Sequence, residues 1–368
     1  MNIEKRVRRI KQLLLDRNLA GIILSRYPSI GYLTGVYQRW GTIMFVSNEG
    51  KPMICSAEIE RVRDEAWEPD SFEFIGLGEY SSALYYSRVD SVVCEIKRLG
   101  LDKERLGFEK AFLTAVEYDN LKSSLPNAKL INASDLVPSI MLVKDHEELR
   151  ILRKLAAIAD VGVNEALKTL KVGITEIEVS GLIDLAMKRF GAEKTWFPTH
   201  VASGYRSDFN MAYPTDKIIQ YGDKVALDVG PILQLYCGQL NAHVVVGKSL
   251  PEYKKLFKGA ATVLQTIFDS LQPGRKCSEI YQIGEERGKE LGYKEVMPHF
   301  GRGIGIIDNE ELLTFSPHCE TVLMEGMVLA IITYIRDGKY VISNERMVEV
   351  TKEGGQWLCS YPLELIET

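Results

Sequence analysis

No apolar run in these 368 residues approaches the length of a bilayer-spanning helix. The opening stretch, MNIEKRVRRIKQLLLDRNLAG, lacks the apolar centre and small-residue cleavage site of a secretory leader, so the cytoplasm is the expected location and no membrane partner is expected. No CxxC pair occurs. The six cysteines (Cys55, Cys94, Cys237, Cys277, Cys319 and Cys359) are scattered, which reads as reduced, mostly buried thiols rather than a disulfide framework. No stripe of one charge is present either. The formal net charge is −5 with acids and bases interleaved, a surface poorly suited to a phosphate backbone, so no nucleic-acid partner is expected. Low-complexity segments are absent as well.

What is present is a chain 46% hydrophobic and 26% charged, long enough to bury two cores. Over residues 1–135 helix and strand signals alternate. An amphipathic helix is expected over 4–17, a buried strand at 21–24, a hairpin of 41–47 with 51–56, a helix over 87–99 and a strand at 105–108. That pattern predicts a small α/β domain over residues 1–140. A boundary near 142–148 opens the second domain, residues 141–368. Helices are expected there to about 170, closed by Gly173, and over 176–190, 252–270 and 277–291. Strands are expected at 196–202, 224–230, 238–246 and within 327–350, which makes this half α+β. Its two helix–strand blocks hint at a duplicated unit.

Four phrases of the second half stand in a telling order: FPTHVASG (197–204), GDKVALDVG (222–230), GRGIG (301–305) and EGMV (325–328). With Asn344-Glu345 and Val350-Thr351 behind them, the set resembles the prolidase, aminopeptidase P and creatinase family. The phrase IGYLTG (30–35) is similar to the signature of that family's first domain. The resemblance implies a pita-bread α+β domain, here residues 141–368, behind a smaller creatinase-like N-terminal α/β domain. It also implies a homodimer.

In the family's peptidases two divalent metals sit among two Asp, one His and two Glu, where they activate a water. Those positions fall here on Asp228, Gln239, Arg302, Ile332 and Glu345. Only the first and last keep a ligand, and a guanidinium stays protonated, so no metal and no cofactor are expected. Two further peptidase histidines fall on Met211 and Asn309.

The substitutions remove acids and add one cation, leaving Asp228 and Glu345 to face Arg302, either as a structural ion pair in place of a metal or as a catalytic arrangement. Strand alternation points Gln239, Asn241 and His243 one way, onto the pocket face. His243 reads either as a general base or as a hydrogen-bonded core histidine. His200 and His299 stand behind it as bases, while His146 and His318 read as inert. Glu310, beside Asn309, is a candidate for positioning a substrate donor, and Met211 and Ile332 are candidate lining residues. Within YQRWG (37–41), Arg39 matches an Arg-bearing segment of creatinase, which implies a grip on a substrate carboxylate in the neighbouring subunit's pocket.

The first functional expectation is therefore a metal-independent, creatinase-like hydrolase or lyase acting on a C–N bond of a small polar substrate. The rival is a pseudoenzyme whose cleft binds a metabolite or peptide without turnover. A third reading, an Xaa-Pro dipeptidase or aminopeptidase, meets the objection of the missing ligands.

Overall fold

A computed structural model describes residues 2–37, 41–76, 84–209, 211–293, 295–296, 299–306, 310–338 and 340–368. The chain divides into two compact units, Met1–Met141 and Leu142–Thr368.

In the first unit α1 (Ile3–Asp16) leads to β1 (Gly21–Leu24), α2 (Tyr27–Thr34), β2 (Ile43–Ser47), β3 (Met53–Ser56), α3 (Ile59–Glu65) and β4 (Glu73–Gly76). There follow α4 (Leu84–Arg98), β5 (Arg105–Phe108), α5 (Ala115–Ser124), β6 (Lys129–Asn132) and α6 (Leu136–Met141). The six strands form one mixed sheet in the order β4-β3-β2-β1-β5-β6. β1 lies at its middle, antiparallel to β2 and parallel to β5, and every one of its residues is buried. That explains its uninterrupted apolar sequence. The expected hairpin forms as β2 and β3. The phrase at 30–35 lies in the end of α2, which stops because Gly35 turns left-handed at φ +82° under the Trp67 ring.

The second unit opens with two helices, α7 (His146–Thr169) and α8 (Glu176–Arg189), each begun by a capping box, Asp145 with Glu148 and Thr175 with Glu178. Next come β7 (Lys194–Thr195), β8 (His200–Ser203), β9 (Lys224–Val229), β10 (Pro231–Leu233), β11 (Tyr236–Cys237) and β12 (Leu240–Val245). After α9 (Pro251–Asp269) and α10 (Cys277–Glu290) the chain forms β13 (Glu295–Val296), β14 (Gly301–Gly303), β15 (Glu310–Thr314), β16 (Val328–Asp337), β17 (Tyr340–Thr351), β18 (Gly354–Trp357) and β19 (Ile366–Glu367). The strand expected over 196–202 is replaced by two short ones. Pro198 interrupts it, and β7 pairs with β10 in a separate small sheet.

The large sheet runs β15-β14-β16-β17-β12-β9-β8. Period-two alternation sorts its side chains. Leu329, Ile331, Ile342 and Val348 join Leu256, Val263, Leu264 and Ile267 of α9 and Ile280 of α10 in one apolar core. The alternate residues of the same strands, among them Ile332 and Glu345, point to the other face.

Behind that face the short helical turn Gly204–Asp208 is pinned to the sheet by a fully buried lysine. The Lys224 ammonium donates to Asp208 Oδ1 at 2.6 Å and to the Val341 carbonyl, and Asp208 Oδ1 also accepts the Val341 N–H at 2.8 Å. Removing one side of such a pair strands the other in a site that excludes water. Lys224→Met is expected to lower unfolding free energy by about 3 kcal/mol. The double variant Lys224→Met/Asp208→Leu should recover most of that loss in urea titrations, since an apolar pair leaves no charge stranded.

Candidate functional site

One cross-strand row builds the site. His200 on β8 stands directly opposite Asp228 on β9; Asp228 opposes Asn241 on β12; Asn241 opposes Glu345 on β17; and Glu345 opposes Ile332 on β16. Residues directly opposed in antiparallel strands point to the same face, so five strands deliver one line of side chains. Arg302 on β14 opposes Ala330, two residues before Ile332, and shares that face.

The row places the buried Glu345 carboxyl near the half-buried Asp228, and their neighbours answer the cost. Gln239 Nε2 donates to Asp228 Oδ1 at 2.7 Å and to Glu345 Oε2 at 2.9 Å, so one amide nitrogen bridges both. Arg302 Nη1 meets the remaining Glu345 oxygen, Oε1, at 2.5 Å. Asp228 is held mainly by desolvation, then by the nearby Glu345, with a pKa well above the ordinary aspartate range; Arg302, Asn241 and Gln239 offset this only in part. The centre is thus an Asp228 carboxyl with raised pKa, a bridging amide and an ion pair.

Beside it lies a cavity of about 30 Å³ lined by His200, Ser207, Asp228, Asn241, Ser343 and Met211, among others. That volume holds a water or two, or one small polar group. His200 is buried, its Nδ1 has no partner, and its ring packs edge-on against Phe197 and Tyr213. Burial lowers its pKa. At the rim Phe209 and Met211 are exposed, as are Tyr205 and Tyr213 close by. Met211 takes a left-handed backbone, φ +57°.

Asn241 and His243 do share a face, since Ser343 touches both: its hydroxyl donates to Asn241 Oδ1 at 3.0 Å, and its backbone N–H donates to His243 Nε2 at 3.1 Å. His243 is buried outside the cavity lining, and burial, reinforced by Lys224 and Arg346, pushes its pKa far down. With Nε2 already accepting a backbone N–H, the neutral ring has no second lone pair for a water. His299 is half-buried near Arg302 and Glu345, its pKa lowered by burial and then by Arg302. Ile332 is half-buried beside Glu345, while His146 and His318 are exposed. Glu310 begins β15 opposite Gly303. Arg39 and Asn309 lie outside the described residues.

Glu176 went unnoticed in the sequence. It is fully buried at the start of α8, and its two oxygens accept from the Ser203 and Thr215 backbones and hydroxyls and from Arg206, tying down both ends of the segment that carries Phe209 and Met211. Its signal, a Glu in the first turn of a helix, is shared by ordinary helix starts.

The donor set does not fit two divalent metals. Where ligands are needed stand an amide whose nitrogen is committed to both carboxyl groups, a guanidinium and an aliphatic side chain. Among the described residues no group of three or more His, Cys, Asp or Glu could hold an ion.

Residues 150–352 match metallopeptidase family M24, and residues 6–143 match the creatinase/prolidase N-terminal domain. An Xaa-Pro dipeptidase of Pyrococcus horikoshii is 27% identical over 372 residues, 99% of each chain. The structure of an Xaa-Pro dipeptidase from Bacillus anthracis matches with a TM-score of 0.87 at 26% identity, covering 100% of both chains. The prolidase from P. horikoshii matches with a TM-score of 0.85 at 26% identity, covering 98% of this chain and 100% of that one. The pita-bread fold behind a creatinase-type N-terminal domain is thereby established. The expected creatinase-like action on a C–N bond of a small polar molecule is corrected: these full-length relatives are named as dipeptidases, so similarity points to peptides, the reading that the missing ligands had counted against.

Two measurements probe the centre. Arg302→Ala strands the buried Glu345 carboxylate and is expected to cost about 3 kcal/mol of stability in denaturant titration. Asp228 has a folded pKa above its unfolded value of about 3.9. The native state therefore holds a proton that the unfolded chain releases, and stability falls as pH rises from there. Asp228→Asn should flatten that slope and raise the thermal midpoint at neutral pH.

Proposed function

The chain belongs to metallopeptidase family M24, and on that premise we propose that its C-terminal unit takes short peptides, their amino end entering the cavity beside Asp228. One observation carries this reading: the cavity is small, and among polar and apolar lining residues it reaches the Asp228 carboxyl, whose pKa burial and the nearby Glu345 raise. A peptide ammonium there supplies the missing counter-charge and favours the ionised carboxylate. The exposed rings of Tyr205, Phe209 and Tyr213, with Met211, offer apolar contact to the side chains that follow. The peptide class is supported by the dipeptidase names of relatives at 25–27% identity over nearly the whole chain.

The relatives' family uses metal ions to activate water. Here the same positions carry Gln239 and Arg302, which bind the two carboxyl groups and offset their charge, and Ile332, which offers only apolar surface. Arg302 and the Gln239 amide hold Glu345, and Asp228, at the cavity wall, can pair with the incoming ligand. No step through a metal follows from these residues.

Calorimetric titration with free-amine Xaa-Pro dipeptides, their N-acetyl derivatives and creatine tests the proposal. Free dipeptides should bind, acetylation should weaken binding at least about tenfold, the loss of one charge-assisted hydrogen bond, and creatine should not compete. Added Mn²⁺ or Co²⁺ should not stimulate dipeptide hydrolysis. Equal binding of the acetylated peptides, or stoichiometric Mn²⁺ uptake with metal-stimulated cleavage, would overturn it.

A further inference from the structure

A thiol at the start of α10, Cys277, meets a second, Cys319, in the loop that follows β15. Lys276 bridges antiparallel to Val322, the Cys277 N–H donates to the Thr321 carbonyl at 2.9 Å, and the Ser278 N–H donates to the Cys319 carbonyl at 3.0 Å. The Lys276 ammonium, 2.7 Å from Glu320, closes the same zipper from outside. This pairing brings the side chain of Cys319 against the core that holds Cys277, close enough for each thiol to influence the other's ionisation. Cys277 is fully buried in the apolar core, whereas Cys319 is partly open to solvent.

We propose that Cys277 and Cys319 are a reversible redox pair, with Cys319 the residue that meets a peroxide and Cys277 the one that resolves it. Cys319 has the environment of a reactive thiol. Burial opposes its ionisation, but hydrogen bonds from the Thr314 and Thr321 backbones, the Thr321 side chain and the Cys277 thiol outweigh it and hold its pKa below the usual value. Burial pushes the Cys277 thiol the other way, so it waits as a protonated partner. In the first step the Cys319 thiolate attacks one oxygen of hydrogen peroxide, giving a sulfenic acid and hydroxide. In the second the Cys277 sulfur attacks the Cys319 sulfur, the S–O bond breaks, and the Cys277 proton leaves with that oxygen as water. A peroxide is reduced and two thiols become one disulfide.

The bond would fasten α10 to the segment behind β15. The Cys319 thiol donates to the Leu312 carbonyl at 3.6 Å, as does the Thr321 hydroxyl, and Thr314 on the same strand stands opposite Arg302. The pair therefore sits one strand from the guanidinium of the centre, and it is independent of which ligand the cavity takes.

The test uses the full chain carrying Cys94→Ser, which removes the exposed cysteine and its intermolecular linkage. After hydrogen peroxide, quenching with N-ethylmaleimide and non-reducing digestion, mass spectrometry should find a Cys277–Cys319 linked peptide two hydrogens lighter than the reduced pair. Thiol titration in denaturant should lose two groups, and dithiothreitol should restore both. Cys277→Ala should leave Cys319 as a sulfenic acid trapped by dimedone. Should that variant not fold, the parent protein's peptide map decides alone. Cys277 still fully alkylatable after oxidation, or linkage chiefly to Cys55, Cys237 or Cys359, overturns the proposal.

Discussion

Two carboxyl groups brought together on one cross-strand row are the constraint around which the C-terminal unit is arranged. Asp228 and Glu345 sit on either side of Asn241, each directly opposite it, Glu345 buried and Asp228 half-buried at a small cavity, and leaving either as an isolated charge there would be costly. The structure answers with a guanidinium that pairs with Glu345 and an amide that spans both, and the environment raises the pKa of Asp228. In the peptidases that this family resembles, divalent ions meet the same electrostatic demand. Here Arg302 and Gln239 stand against the two carboxyl groups, and the sheet keeps its register around them.

The surroundings follow from keeping that row in place. Glu176 and the Lys224–Asp208 pair anchor the segment that forms one wall of the cavity, with nearly every hydrogen-bonding atom of Glu176 in use. Asp160 performs the same service for the chain's end, accepting the N–H groups of Ser360 and Tyr361 at 2.7 and 3.0 Å. Arg346, next to Glu345 but facing the other way, donates to the Asn241 and Pro362 carbonyls and lies over the Tyr361 ring. Buried charged groups thus serve as fasteners: Glu176 and Lys224 each meet backbone as well as an opposite charge, while Asp160 and Arg346 are met chiefly by backbone.

The same logic separates the histidines. His243 and His200 both lose basicity to burial, but one has its acceptor nitrogen filled by the Ser343 backbone and the other keeps an unpartnered Nδ1 at the cavity wall. A sequence pattern that places two imidazoles near a site cannot distinguish them, because the difference lies in which backbone N–H reaches which ring. The cavity is lined from β8, β9, β12, β16 and β17, whereas the Cys277–Cys319 pair lies beside β15 at the opposite edge of the sheet, so the peptide binding and the oxidation proposed for them can each be measured without disturbing the other.

The sequence by itself determined the two-unit organisation, the hairpin in the first unit, the helices of the second and the ordered phrases that mark the fold. All rest on local periodicity, capping residues and spacing along the chain. It also determined the chemical poverty of the metal positions, since Gln239, Arg302 and Ile332 cannot be read as an Asp, a His and a Glu. Only the tertiary structure decided what these residues do instead. That Gln239 bridges Asp228 and Glu345, that Arg302 takes the last free oxygen, and that Cys319 comes to lie against Cys277 from 42 positions away depend on strand register and loop packing. Such contacts leave no trace in a local pattern, because a hydrogen bond between distant residues is fixed by where the sheet brings their backbones and by which atoms are left unsatisfied once it has formed.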